Sequence, residues 1–216
     1  MTRIKTFAAP HKALRNAISQ FSFRLGHTDF TNADQLQQLK DLGNDLFFML
    51  NDHVHIEEGH TLHMLEEKAP GTTRKDREDH EQLELIQDSL QQKLMQFTGT
   101  ESADETHDFY IQFSNFQSKY LEHIYQEETV TELLLQQHFT DEELVQHRNT
   151  ILKSLEFPTL LLWMKYMIPA QSQAENIGML TGLKSGAPEE AFNTVLNTVQ
   201  KEMDPARFES LVLHLP

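Results

Sequence analysis

Cysteine is absent from all 216 residues, which excludes thiol chemistry, iron–sulfur clusters, zinc ribbons and any disulfide framework. Positive charge is scarce: 18 Lys and Arg face 33 Asp and Glu, a formal net charge of −15. That balance argues against a nucleic-acid partner and against an anionic membrane surface. Long apolar runs are missing as well. The most apolar stretch, Leu160–Ile168, is far too short to cross a bilayer and contains Lys165. The first residues, MTRIKTFAAPHKALRN, lack the apolar run of a signal peptide, so the expectation is a cytoplasmic protein that binds neither nucleic acid nor membrane. No segment alternates with the strand period, and no long-period repeat or low-complexity tract occurs. With 38% hydrophobic and 24% charged residues the chain is otherwise an ordinary globular one. What it has in quantity is histidine, twelve of them.

Four long helical patterns carry these histidines. The first opens near Pro10 and closes at Leu25-Gly26. The second, capped by Thr31 or Asn32, runs to about Lys68, ahead of Ala69-Pro70-Gly71. The third starts near Thr73 and stops before Thr98-Gly99, and the fourth runs from a cap near Ser102 to about His138. Short connections between long amphipathic helices imply antiparallel neighbours, hence an all-α, up-down-up-down four-helix bundle over residues 1–139. Residues 140–216 read as further helices packing on the bundle or forming a homodimer contact. Thr140 with Glu143 is a capping box for a helix to Ser154, and the apolar Phe157–Ile168 stops at Pro169. Segments 170–184, 188–203 and 205–213 follow, the last capped by Asp204.

Steps of three and four place the core stripe of the second helix on Leu36, Leu39, Gly43, Leu46, Leu50, His53, Glu57, His60 and Met64. On the fourth it runs Phe109, Phe113, Phe116, Tyr120, His123, Glu127, Val130 and Leu134. His11 occupies a core position of the first helix and His80 one of the third. A carboxylate at a core position costs several kcal/mol unless paired or ligating, and His and Glu four apart differ by only about 40° around a helix. Four imidazoles and two carboxylates therefore meet in one layer. His11 to His53 and His80 to His123 span 42 and 43 residues, so the two halves repeat one design. Six such ligands exceed one tetrahedral zinc, and a carboxylate can bridge two ions. The inference is two non-haem irons bridged by Glu57 and Glu127, with His11, His53, His80 and His123 as terminal ligands.

Six residues in this order, His11, His53-Val-His-Ile-Glu57, His80 and His123-Ile-Tyr-Gln-Glu127, resemble the hemerythrin-like, or HHE cation-binding, family over roughly Thr6 to His138. The resemblance implies a di-iron centre with an oxo or hydroxo bridge and an open position for O2 or another small diatomic ligand such as nitric oxide. Classical hemerythrins carry two histidines four apart on the third helix. Here the residues four either side of His80 are Asp76 and Glu84, so the nitrogen is missing or an oxygen replaces it. Glu84 and His60 stand as further candidate ligands, His60 one turn beyond Glu57 as a ligand, a residue hydrogen-bonding one, or the end of the stripe. Glu58 and Glu128 read as solvated, with Glu128 also able to support a ligand, and Tyr120 as core packing. His147 reads as an ordinary surface histidine. Three functions compete: a di-iron binder or sensor of O2, a di-iron oxidoreductase or iron-handling protein, and a metal-free helical interaction module. The order His before Glu disfavours a ferritin-like site, which uses Glu-x-x-His.

Overall fold

A computed structural model describes residues 3–215. Among them there is no strand, and nine helices form the chain. α1 spans Ala8–His27. α2 runs Ala33–Ile56, passes through a π-helical turn at Glu57–Thr61 and ends as Leu62–Lys68. α3 spans Arg74–Gln96. α4 repeats the plan of α2: Ala103–Gln126, a π-helical turn at Glu127–Thr131, then Glu132–His138. The caps are those the residue types favour. The Asn32 side chain accepts from the Gln35 amide, and Ser102 with Glu105 closes a capping box.

α1 to α4 form a closed ring, each helix packing on the next and α4 returning to α1. The interior is mostly one long apolar core, including Phe21, Phe47, Leu94, Phe113 and Phe116. Gly43 is required there by close approach: a Cβ would lie 2.3 Å from Leu94 Cδ2. Beyond the histidine layer a short plug of Phe7, Leu65, Leu135, Phe139 and Leu144 closes the other end. Buried Glu132 accepts the Thr6 and Phe7 amides at 2.8 and 3.1 Å, and so fixes the chain entering α1.

The remaining helices are α5 (Asp141–Ser154), α6 (Phe157–Ala170), α7 (Gln173–Gly186), α8 (Glu189–Glu202) and α9 (Pro205–Leu213). α6 does not stop before Pro169. The proline sits inside the last turn, where its missing amide costs one hydrogen bond and the helix is about to end. One face of α6 lies along α1 and also meets α2; Trp163 and Tyr166 join the bundle core. Trp163 Nε1 donates to Asp52 at 2.7 Å, and Lys165 and Tyr166 both donate to Asp45. The other face, with Met164 and Ile168, joins Leu180, Phe192, Val195 and Val199 in a second small core. No helix among the described residues is long and apolar enough to cross a membrane.

Candidate metal centre

His11, His53, Glu57, His80, His123 and Glu127 are all buried, none more than 3% exposed. They fall into two groups of four that share both carboxylates. In the first position His11 and His53 stand with Glu57 and Glu127; in the second His80 and His123 stand with the same two. Within each group the ligand atoms lie within 4.8 Å of one another. Glu57 turns Oε1 toward His53 Nε2 at 3.3 Å and Oε2 toward His80 Nε2 at 3.4 Å. Glu127 turns Oε2 toward His11 Nε2 and Oε1 toward His123 Nε2, each at 3.3 Å. Each carboxylate thus offers one oxygen to each position, the geometry of a bridge.

The four Nε2 atoms and four carboxylate oxygens have no hydrogen-bond partner among the described residues. Spacings of 3.3–3.4 Å are long for hydrogen bonds. They match the separation of neighbouring ligands on an ion with bonds of about 2.0–2.2 Å, about 3.0–3.5 Å. Eight orphaned polar atoms in a protein interior would be costly, and cations held between them would remove that cost. The residues present therefore fit a pair of metal ions.

Outside this ring two acidic residues hold the imidazoles. Glu128 Oε1 lies 3.0 Å from His11 Nδ1 and is fixed by Arg15 at 2.6 and 2.9 Å. Glu58 Oε1 lies 3.0 Å from His80 Nδ1 and pairs with Arg77. A carboxylate at Nδ1 keeps the proton there and presents the Nε2 lone pair inward, as a metal ligand needs. The solvated reading of Glu58 and Glu128 is corrected on this point. The signal was in the sequence: a second Glu follows the bridging one in both halves.

The π-helical turns begin at the two bridging carboxylates. The Leu62 amide donates to the Glu57 carbonyl and the Glu132 amide to the Glu127 carbonyl, five residues back rather than four. Each turn inserts one residue and shifts the stripe beyond it. Thr61 and Leu65 face the interior where His60 and Met64 were expected, and Thr131 and Leu135 where Val130 and Leu134 were. His60 is therefore half-buried and belongs to neither ligand group. Glu84, likewise half-buried, is outside both groups. Asp76 is buried, but its carboxylate accepts from Thr131 Oγ1 at 3.0 Å, and it is also outside both groups. The equivalent threonine of α2, Thr61, pairs at 3.0 Å with His147 of α5, so His147 is not a plain surface residue.

Charge within the layer, as its own side chains set it, is distributed unevenly. Burial, followed by the charge of Glu127, pushes Glu57 up to about 7. Burial pulls His80 down, but Glu127 and Glu57 outweigh it and carry it up to about 11. Burial and then Glu127 raise Asp76 to about 6. His123 is drawn down by burial to about 4. Tyr120 is fully buried with its hydroxyl unpartnered, and burial, then Glu57 and Glu127, hold its pKa well above the phenolic range.

A helical bundle whose core layer offers two carboxylate-sharing sets of imidazole ligands is a candidate cation-binding protein. The family model for the hemerythrin HHE cation-binding domain matches residues 2–134, and the chain belongs to that family. No curated protein and no solved structure matches it.

Proposed function

We propose that this protein is a non-haem di-iron protein that binds O2 or nitric oxide, for oxygen binding or sensing, in the cytoplasm. The observation that supports it is the sharing of Glu57 and Glu127 between two four-ligand groups, which calls for two ions side by side. His11 and His53 would hold one ion and His80 and His123 the other, with an oxo or hydroxo group completing the bridge. Imidazole mixed with carboxylate suits iron, manganese and zinc, and only redox-active ions make use of a shared bridge for electron chemistry. Held there in the ferrous state, an iron pair would supply the two electrons that take dioxygen to the peroxide level.

The protein's own residues do the rest. Glu58 and Glu128 hold protons on Nδ1 of His80 and His11. The plug around Phe7 and the aromatic core below keep bulk water out. Each position has two nitrogens and two carboxylate oxygens from the chain, leaving coordination for a small ligand. The test is metal content and an optical spectrum of protein reconstituted anaerobically with ferrous iron and then exposed to air. Two irons per chain with oxo-bridge absorption that bleaches on reduction support the reading; one zinc, or no metal, overturns it. Multiple-turnover oxidation of a reductant, lost on changing Glu57 or Glu127, would instead favour an oxidoreductase.

A further inference from the structure

The core stripe of α4 is aromatic for four successive positions, Phe109, Phe113, Phe116 and Tyr120, before it reaches His123. Only the last of these, one turn from the ligand, carries a hydroxyl. Tyr120 is 1% exposed, its ring makes an edge contact with His123 with centroids 6.1 Å apart, and it also meets Phe116 at 5.7 Å. The hydroxyl has no partner, and neither does His123 Nδ1, so the two do not satisfy each other. A buried orphan hydroxyl costs about 1–3 kcal/mol. Phenylalanine, already used three times below it, would fill the same space without that cost. The phenol also lies within the field of both bridging carboxylates, Glu57 and Glu127. A phenol hydroxyl can donate a hydrogen bond, and this one has no acceptor among the described residues.

We propose that the Tyr120 hydroxyl donates a hydrogen bond to the small acceptor ligand held at the metal pair, on the side of the long apolar core. The inference rests on the di-metal reading above. Tyr120 is a positioning residue: it orients the ligand and stabilises the negative charge the ligand carries, while the metals hold it. The ligand class is a diatomic or small anion with a hydrogen-bond-accepting end.

The experiment compares wild type with Tyr120→Phe, using inorganic azide as the probe on the air-oxidised, iron-loaded proteins. Azide should bind the variant about tenfold or more weakly, the loss expected for a hydrogen bond to a charged acceptor. Vibrational bands of bound azide should shift between H2O and D2O in the wild type and not in the variant. Metal-free Tyr120→Phe should melt at or above the wild-type temperature, because an orphan has been removed. Equal azide affinity and no isotope shift would overturn the proposal while leaving the iron pair intact. A metal-free variant that melts lower would show a structural hydroxyl and overturn it too. A wild type that takes up no metal pair overturns the di-metal reading, and this inference with it.

Discussion

The two candidate metal positions are built from the same parts and set in different surroundings. Both take two histidines, share Glu57 and Glu127, and have one imidazole steadied by an Arg-bound glutamate. The first is lined by aromatic groups: Phe7 stacks on His11 at 5.2 Å, and Trp163 of α6 lies 6.4 Å from His53. The second also has an aromatic neighbour, Tyr120 at 6.1 Å from His123, but is the more acidic, with Asp79 4.0 Å from His123 Nδ1 and buried Asp76 on the same helix as His80. Shared carboxylates make the pair one unit. The outer residues make its halves unequal, so a cation should enter the acidic second position first.

The sharpest way to break this comparison is to remove a shared part and an unshared one. Glu127→Ala should abolish binding of both ions, because each group loses an oxygen at once. His53→Ala should leave the second position able to hold one ion. Metal analysis of the two purified variants, with far-UV dichroism to show that both remain helical, decides it. One ion retained in both variants would mean the positions are independent and the carboxylates are not shared.

Metal removal comes next in size. An ion present at a thousandfold excess over its Kd contributes about 4 kcal/mol, and about 1 kcal/mol moves the Tm of a chain this long by about 2–4 °C. Stripping both ions should therefore lower Tm by more than about 10 °C, measured by calorimetry with and without chelator. The metal-free form should also become less stable as pH rises above 6.5. His80 is raised to about 11 and Glu57 to about 7, so the folded state holds protons that the unfolded chain releases. For His80 that stability is fully present below 6.5, its unfolded value, and is lost as pH climbs toward 11. His123, lowered to about 4, acts in the opposite direction only below 6.5. The loaded protein should show no such decline, since uptake of the ions has already expelled the proton.

How much of this was readable in advance is set by periodicity. Up to Glu57 and Glu127 the α-helical step of 3.6 residues carries the stripe correctly, and all six residues that the structure brings together fall on it. Beyond them the π-helical turns add a residue, and nothing in EEGHT or EETVT announces the change. Hence His60 was placed on the stripe, and Thr61, Thr131 and Glu132 were missed. Glu58 and Glu128 were half legible for another reason. The doubled Glu was visible in both halves and Glu128 was already a candidate support, but a glutamate next to the core stripe is ordinarily solvated, and only contact with His80 and His11 across helices gives it a role. The C-terminal helices were legible as helices, but their partner face was not, because the apolar stretch around Trp163 suits a bundle face and a dimer contact equally.

A finer test of the halves uses those outer carboxylates. Glu128→Ala should weaken the first position and Glu58→Ala the second, each by about 10–100-fold in metal affinity. The read-out is a stepwise titration with one divalent ion, in which the two variants should lose different steps. Arg15 and Arg77 would then each face an unpaired site, yet both are near the surface, so little stability should be lost.

The smallest effect separates the two π-helical turns themselves. They align residue for residue, Glu57 with Glu127 and Thr61 with Thr131, which sets Gly59 against Thr129. A Cβ at Gly59 would meet nothing within 4 Å, and the equivalent turn accepts even a β-branched side chain. The glycine is therefore not needed for space or backbone angle; its flexibility only adds entropy to the unfolded chain. Gly59→Ala should stabilise the protein by about 0.4–1 kcal/mol, seen as a Tm rise of about 1–4 °C, with metal stoichiometry unchanged. Gly43→Ala, where the new methyl group strikes Leu94, should instead cost about 1–3 kcal/mol. Were Gly59→Ala to reduce metal binding, the turn of α2 would have to flex for the ions to enter, and the likeness of the two halves would end at that residue.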